Sequence, residues 1–182
     1  AALAGLGADV TLVSGPVSIP DPAGIRVVRV ESAIQMLNAV RGGLPADVVV
    51  CAAAVADWTV ANRAAEKRKK KVGDPPPTIE LTPNPDILMT VSKAEGAARP
   101  RLVVGFAAET EKLIEHAKDK LARKGCDWIV ANDVSEGTGT FGGDANTVHV
   151  IDGQGCESWP AMGKDEVARK LAERIAQALG RM

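Results

Sequence analysis

The chain has 182 residues, 46% apolar and 25% charged, which suits one globular domain that buries a core without disulfide or metal staples. A net charge of −1 argues against general nucleic-acid binding, and three cysteines without CxxC spacing argue against a disulfide framework or a zinc site. No apolar run approaches the ~18 residues of a membrane span and no signal peptide is recognisable, so no membrane partner and a reducing, cytoplasmic setting with free Cys51, Cys126 and Cys156 are expected.

Residues 1–7, Ala-Ala-Leu-Ala-Gly-Leu-Gly, read as the last turns of a helix stopped by glycine. A strand, a loop and a helix start are therefore expected ahead of residue 1. Residues 8–14 read as a strand ended by Gly15-Pro16, and 24–30 as the next strand. Ser32 caps a helix to about Arg41, with Ile34, Leu37 and Val40 along one side. Residues 47–51 are a continuous apolar run, the pattern of a strand covered on both faces. Residues 78–82 form a short strand or extended piece, and Pro85 opens a helix to about Ala94 with Asn84 at its cap. Then come a buried strand over 102–107, a helix over 110–124 ended by Gly125, a strand over 127–131 and a glycine-rich loop over 137–144. Residues 147–151 and 157–160 flank Asp152-Gly153 as a hairpin, and 164–179 close the chain as an amphipathic helix. This alternation predicts an α/β fold with a three-layer α/β/α arrangement, a mostly parallel sheet and a late antiparallel hairpin. Residues 1–182 read as a single domain, in which 61–77, a charge run followed by Gly-Asp-Pro-Pro-Pro, is the least ordered part.

Open α/β sheets bind ligands beyond the carboxyl ends of their strands. Three such ends are unusual here: residues 51–58, 105–110 and 131–135. Small residues there permit either close backbone approach by a ligand or merely tight packing. Asp57 either holds a divalent ion against phosphates or caps a turn. Lys67, Lys69, Lys70 and Lys71 form either a solvated charge run or a tethered, mobile flap that closes a lysine over a reacting phosphate. Asn84-Pro85-Asp86-Ile87 is either an anion or base-edge site or an ordinary cap. Lys120 and Lys124 share a helix face, and their position in the last turns is explained by the helix dipole alone. His116 and His149 are isolated, and no phosphate-binding glycine loop or nucleophile–histidine pair is recognisable.

Six motifs in order carry a family resemblance: Ala-Ala-Val-Ala-Asp57-Trp, Glu66-Lys67-x-Lys69-Lys70, Asn84-Pro85-Asp86-Ile87-Leu88, Gly105-Phe106-Ala107-Ala108-Glu109-Thr110, Ala131-Asn132-Asp133-Val134 and Phe141-Gly142-x-Asp144-x-Asn146. Together they resemble bacterial phosphopantothenoylcysteine synthetase, the synthetase domain of the bifunctional coenzyme A biosynthesis flavoprotein. The resemblance spans nearly the whole chain. It implies a dimeric Rossmann-like fold and a CTP- and Mg²⁺-dependent ligation of 4′-phosphopantothenate to cysteine through an acyl-cytidylate. By the same resemblance, Cys51, Ala52, Ala53 and Asp57 contact the nucleotide, with Asp57 also at the metal. Pro85, Asp86, Ile87, Leu88 and Phe106 surround the cytidine, and Lys120 and Lys124 reach the triphosphate. Lys67 matches the catalytic lysine of the flap, Ala54 lies at the acyl-cytidylate, and Asn132 approaches the pantothenate. The family domain opens with a strand and a Gly/Ser-rich loop bearing an asparagine, ahead of the helix ending at Ala1–Leu6, and carries a flavin-dependent decarboxylase partner domain. Two other classes stay open on the residues: an NAD(P)- or flavin-dependent oxidoreductase, disfavoured by the missing glycine fingerprint, and a non-catalytic nucleotide-binding module.

Overall fold

A computed structural model describes residues 1–62, 78–109, 111–134 and 145–180. Helix α1 (Ala2–Gly5) ends as its glycines predict. Gly7 takes φ +88°, its N–H reaches the Ala4 carbonyl at 2.9 Å, and the Ala8 N–H reaches Leu3 at 3.2 Å. That bond pair is a Schellman stop. Strands β1 (Thr11–Ser14) and β2 (Arg26–Arg29) pair in parallel, Thr11 opposite Arg26. Helix α2 (Ala33–Gly42) starts from a full capping box: Ser32 Oγ accepts from the Gln35 N–H and Gln35 Oε1 accepts from the Ser32 N–H. Of the expected face only Leu37 is buried, and Ile34, in the first turn, is 59% exposed.

Among the described residues five strands make the central sheet, in the order β3 (Val48–Cys51), β6 (Leu102–Glu109), β7 (Trp128–Asp133), β8 (Ala145–Asp152), β9 (Gly155–Gly163). The first three run parallel, and β8 and β9 are antiparallel additions. Side chains alternate across a strand, so β6 and β7 serve two cores. Val103, Ala107, Ile129 and Ala131 pack with Leu37, Ile87, Leu88, Val91 and Ala117. Leu102, Val104, Trp128 and Val130 pack with Val148, Val150, Trp159 and with Val167, Leu171 and Ile175 of α5 (Lys164–Gly180). Being covered on both sides is why these strands read as unbroken apolar runs. β3 ends the strand order, and its Val-Val-Val-Cys is only half-buried throughout.

Several local expectations need correction. Residues 58–60, where no element was expected, form strand β4 (Trp58–Val60), which pairs antiparallel with β5 (Leu81–Pro83). Among the described residues neither this ribbon nor the β1–β2 pair is hydrogen-bonded into the central sheet. Helix α3 (Ile87–Ser92) starts two residues later than Pro85, because Asp86 and not Asn84 is its cap: Asp86 Oδ1 accepts from the Met89 N–H at 2.9 Å. Helix α4 (Leu113–Lys124) starts at Leu113 because Lys112 sits in the left-handed region, φ 46°, and it ends at left-handed Gly125 as expected. The hairpin turn is Gly153-Gln154, not Asp152-Gly153. Asp152 stays in β8 and its Oδ1 accepts from the N–H groups of Gln154 and Gly155. Its other carboxylate oxygen accepts from Arg174 at 3.0 Å, and Arg174 stacks over Trp128 at 4.8 Å, which locks α5 to the hairpin. The glycine-rich loop over 137–144 and most of the expected flap over 61–77 lie outside the described residues. No described helix is long and apolar enough to cross a membrane.

Gly105 decides where α3 can sit. A Cβ there would meet Leu88 Cδ2 at 2.6 Å and Ile129 Cδ1 at 2.9 Å, both in the core beside α3. The two methyl ends can yield only by rearranging packed neighbours, so Gly105→Ala should destabilise by roughly 1–2 kcal/mol, as overpacking does. Thermal denaturation checks this, and the paired change Gly105→Ala with Leu88→Val should recover part of the loss.

Candidate active site

The chain leaves β3 through Cys51 into Ala52, Ala53 and Ala54, all three exposed, and folds back so that the Val55 N–H reaches the Ala53 carbonyl at 3.1 Å. With no side chain beyond Cβ, these residues leave their backbone open to a ligand. Asn84 clamps the far end of this loop. Its side-chain amide donates to the Ala56 carbonyl and its N–H donates to the Asp57 carbonyl, each at 2.8 Å. The clamp sets exposed Asp57 beside Pro85 and Asp86, at the mouth of α3. Sequence reading gave Asn84 a helix-capping role. Its side-chain partner, Ala56, lies 28 residues back and leaves only the Asn-Pro-Asp signature as a trace.

Asp86, Lys120 and Lys124 form the electrostatic centre. Lys124 Nζ pairs closely with Asp86 Oδ2, and the side chains are only 14% and 27% exposed. Lys120 Nζ donates to the Phe106 carbonyl at 2.8 Å. Both lysines therefore turn inward from α4 toward the ends of β3 and β6, instead of standing in solvent as helix-end cations. Burial opposes charge on Asp86, but hydrogen bonds from Lys124 and the Met89 N–H outweigh it and hold the carboxyl below the usual carboxylate range. Burial, then the charge of Lys124, holds Lys120 below the ordinary lysine value. The Cys51 thiol is pushed up to about 11 by burial and then by Cys126 and Asp86, so it is a neutral lining group.

The other expected contributors divide. Ile87 and Leu88 are core residues, each 8% exposed, so their side chains form the floor beneath the loop. The Phe106 ring packs with the cluster on the opposite sheet face, and the structure does not bring it together with those side chains; its carbonyl reaches Lys120. Asn132 is half-buried on β7, opposite Ala108 and Val148. Lys67 lies outside the described residues. Among the described residues no group of three or more His, Cys, Asp or Glu is placed to hold a metal. A single exposed carboxylate, Asp57, fits Mg²⁺ that completes its shell with phosphate and water, and does not fit an all-protein cage.

A cleft of about 980 Å³ lies at the other end of the parallel strands, between Gly125–Trp128, the β8–β9 turn and α5. Its central charges satisfy one another: Arg174 binds Asp152 and Glu157, and Asp127 binds Arg99. It is separate from the Asp86–Lys124 cluster.

Residues 1–179 match the family model described as the DNA/pantothenate metabolism flavoprotein C-terminal domain. The chain is 44% identical over 182 residues to the coenzyme A biosynthesis bifunctional protein CoaBC of Mycobacterium tuberculosis, covering 95% of this chain and 42% of that protein. It is 42% identical over 178 residues to CoaBC of Escherichia coli, covering 96% of this chain and 43% of that protein. The chain thus spans less than half the length of these relatives. The crystal structure of a CoaBC C-terminal domain superposes with a TM-score of 0.78 at 34% identity, covering 98% of this chain and 79% of that one. With the Ala-rich strand exit, the Asn-Pro-Asp clamp and the inward lysines in place, the chain belongs to the DNA/pantothenate metabolism flavoprotein C-terminal domain family.

Proposed function

We propose that this chain is the ligase part of a coenzyme A biosynthesis protein, joining 4′-phosphopantothenate to L-cysteine at the expense of CTP. The observation that carries the reading is the inward pair Lys120 and Lys124, held by the Phe106 carbonyl and Asp86 beside the exposed Ala52-Ala53-Ala54 loop. Two half-buried ammonium groups at the ends of parallel strands suit a polyanion, and a loop without side chains suits close approach of a nucleotide.

The chemistry needs no covalent enzyme intermediate. A substrate carboxylate oxygen attacks the α-phosphorus of CTP, the α–β bridging P–O bond breaks, and pyrophosphate leaves. The cysteine amine then attacks the acyl carbon, the C–O bond to CMP breaks, and the nitrogen loses a proton. Lys120 and Lys124 bind the triphosphate and offset the repulsion between two anions. Asp57 holds Mg²⁺, which supplies further neutralisation of the phosphates when bound. Ala54 lies against the acyl-cytidylate, Pro85 and Asp86 edge the cytidine, and Lys67 serves the reacting phosphate.

The same reading extends to assembly. Trp58, Val60, Ile79 and Leu81, on or beside the β4–β5 ribbon, are 58%, 39%, 65% and 58% exposed. This apolar face supports a homodimer built on the ribbon. Core clusters on both faces of the sheet support the three-layer Rossmann-like arrangement. The bifunctional relatives support a decarboxylase domain as the natural partner, and the free cysteines suit a cytoplasmic setting.

Pyrophosphate release with 4′-phosphopantothenate, CTP and Mg²⁺, with and without cysteine, tests the activity. Release that depends on the acid, with cysteine-dependent CMP formation, is expected. No release from this chain or from its N-terminally extended form sinks the ligase reading. Lys120 adds a pH signature. Because its pKa is held down, it loses its charge at a lower pH than an ordinary lysine. CTP affinity should therefore weaken on the alkaline side before free lysine titrates, with proton uptake on binding there. Calorimetry in buffers of different ionisation heat checks this, and Lys120→Met should abolish the uptake.

A further inference from the structure

At the carboxyl end of β6 and β7, the sheet face turned toward α5 changes from apolar to amide. Along that face Val104 is followed by Phe106 on β6, Val130 by Asn132 on β7, and Val148 by Asn146 on β8. Asn132 stands opposite Val148, so Asn146, two residues along β8, is its diagonal neighbour on the same face. Diagonal neighbours are about 7–8 Å apart, within reach of one ligand. Met162 stands opposite Asn146 on the other side, where the β8–β9 register shifts. The side-chain oxygen of Asn146 is fully enclosed and has no hydrogen-bond partner among the described residues, although the residue as a whole is partly exposed.

A buried acceptor without a donor is disfavoured and rare in native proteins. Only an N–H or O–H group relieves it; phosphate and carboxylate groups are acceptors at neutral pH and do not. The nucleotide cluster of Asp86, Lys124 and Cys51 belongs to the opposite face, with α3 and α4. What remains for the α5 face is the uncharged middle of the acid substrate. In 4′-phosphopantothenate that stretch carries a hydroxyl and an amide N–H.

We infer that Asn146 is a specificity-determining residue of the acid-substrate site, accepting a hydrogen bond from the hydroxyl or amide N–H of the substrate beside Asn132. The inference rests on the ligase reading above. The terminal amide turns about a soft torsion, so its oxygen swings out of enclosure when a donor arrives. The residue thereby selects an acid with donors at mid-chain over a simple fatty or dicarboxylic acid of the same length.

The test is Asn146→Leu in the full chain, with calorimetric titration of 4′-phosphopantothenate and of CTP, and thermal denaturation. Binding of 4′-phosphopantothenate should weaken about fivefold, the worth of one neutral hydrogen bond, with CTP affinity unchanged. Tm should hold or rise, because an unpaired polar group has been replaced by an apolar one of similar size. Asn146→Ala, which adds no bulk, gives the same readout if the leucine variant fails to fold. Unchanged 4′-phosphopantothenate affinity, or a lowered Tm with both ligands weakened together, overturns the inference and leaves the ligase reading standing. A wild-type chain that binds no 4′-phosphopantothenate overturns both.

Discussion

Asp86→Ala is expected to lower folding stability by about 3 kcal/mol. Two losses add. The first is the α3 cap, because Asp86 Oδ1 accepts from the Met89 N–H, and removing such a cap costs ~1 kcal/mol. The second is the partner of Lys124, whose side chain is only 14% exposed and whose ammonium would lose its carboxylate. An orphaned, mostly buried charge costs roughly 2 kcal/mol or more. For a domain of this size the sum is a fall in Tm of about 6–12 °C. Asp86→Asn keeps the cap and loses only the charge, so it should fall by less. The double variant Asp86→Ala with Lys124→Met should be less destabilised than Asp86→Ala alone, since nothing charged is then stranded. Additive losses in that cycle would show that the pair contributes nothing beyond the cap.

The same pair fixes a pH dependence. Because the Asp86 carboxyl is held below the usual range in the folded state, the unfolded chain takes up protons first as the solution is acidified. The stabilisation is present above the ordinary carboxylate pKa and is lost as pH falls through the lowered folded value. The wild-type and Asp86→Asn proteins should therefore converge in stability in acid and separate above about pH 4. A constant gap across that range would place the pairing outside the folding equilibrium.

How much of this was legible in the sequence depends on where each feature has its partners. β6 and β7 are readable because burial on both faces demands unbroken apolar runs, and α2 and α4 announce their ends through the Ser32–Gln35 box and Gly125. β5 overlaps the extended piece expected over 78–82, whereas β4, three residues held by pairing Val60 against Leu81, carries no local pattern that marks it. Asn84 satisfies every local rule for a cap, yet its amide reaches Ala56. Lys120 and Lys124 satisfy every local rule for solvated helix-end lysines, and only Asp86, 38 residues from Lys124, turns the latter inward. Charged residues are ambiguous in this way because composition and spacing say nothing about burial. The ordered motifs, matched to a family, carry the proposed role of the lysines, and the fold adds that both turn inward, to the Phe106 carbonyl and to Asp86.

Lys67→Gln should lower amide formation by roughly 10²–10³-fold while leaving the Kd for CTP within about twofold, as expected when a group acts on charge that develops only in the transition state. The two lysines described at the site are already committed. Lys124 is paired with Asp86, and Lys120 is bound to the Phe106 carbonyl with its charge disfavoured by burial. They suit ground-state binding of the triphosphate. Attack by a carboxylate adds negative charge at the α-phosphorus, and a further cation that engages only then raises the rate without tightening CTP. Lys67 is the proposed source. Neighbouring Lys69, Lys70 and Lys71 supply the internal control, since a general electrostatic effect of the run would be shared among them. Each of their glutamine variants should retain turnover within a few-fold. Rapid-quench measurement of cysteine amide formation with bound CTP reads the chemical step directly. Normal turnover in Lys67→Gln, or equal losses across all four lysines, would remove the individual assignment and leave the run as a diffuse attractor for anions.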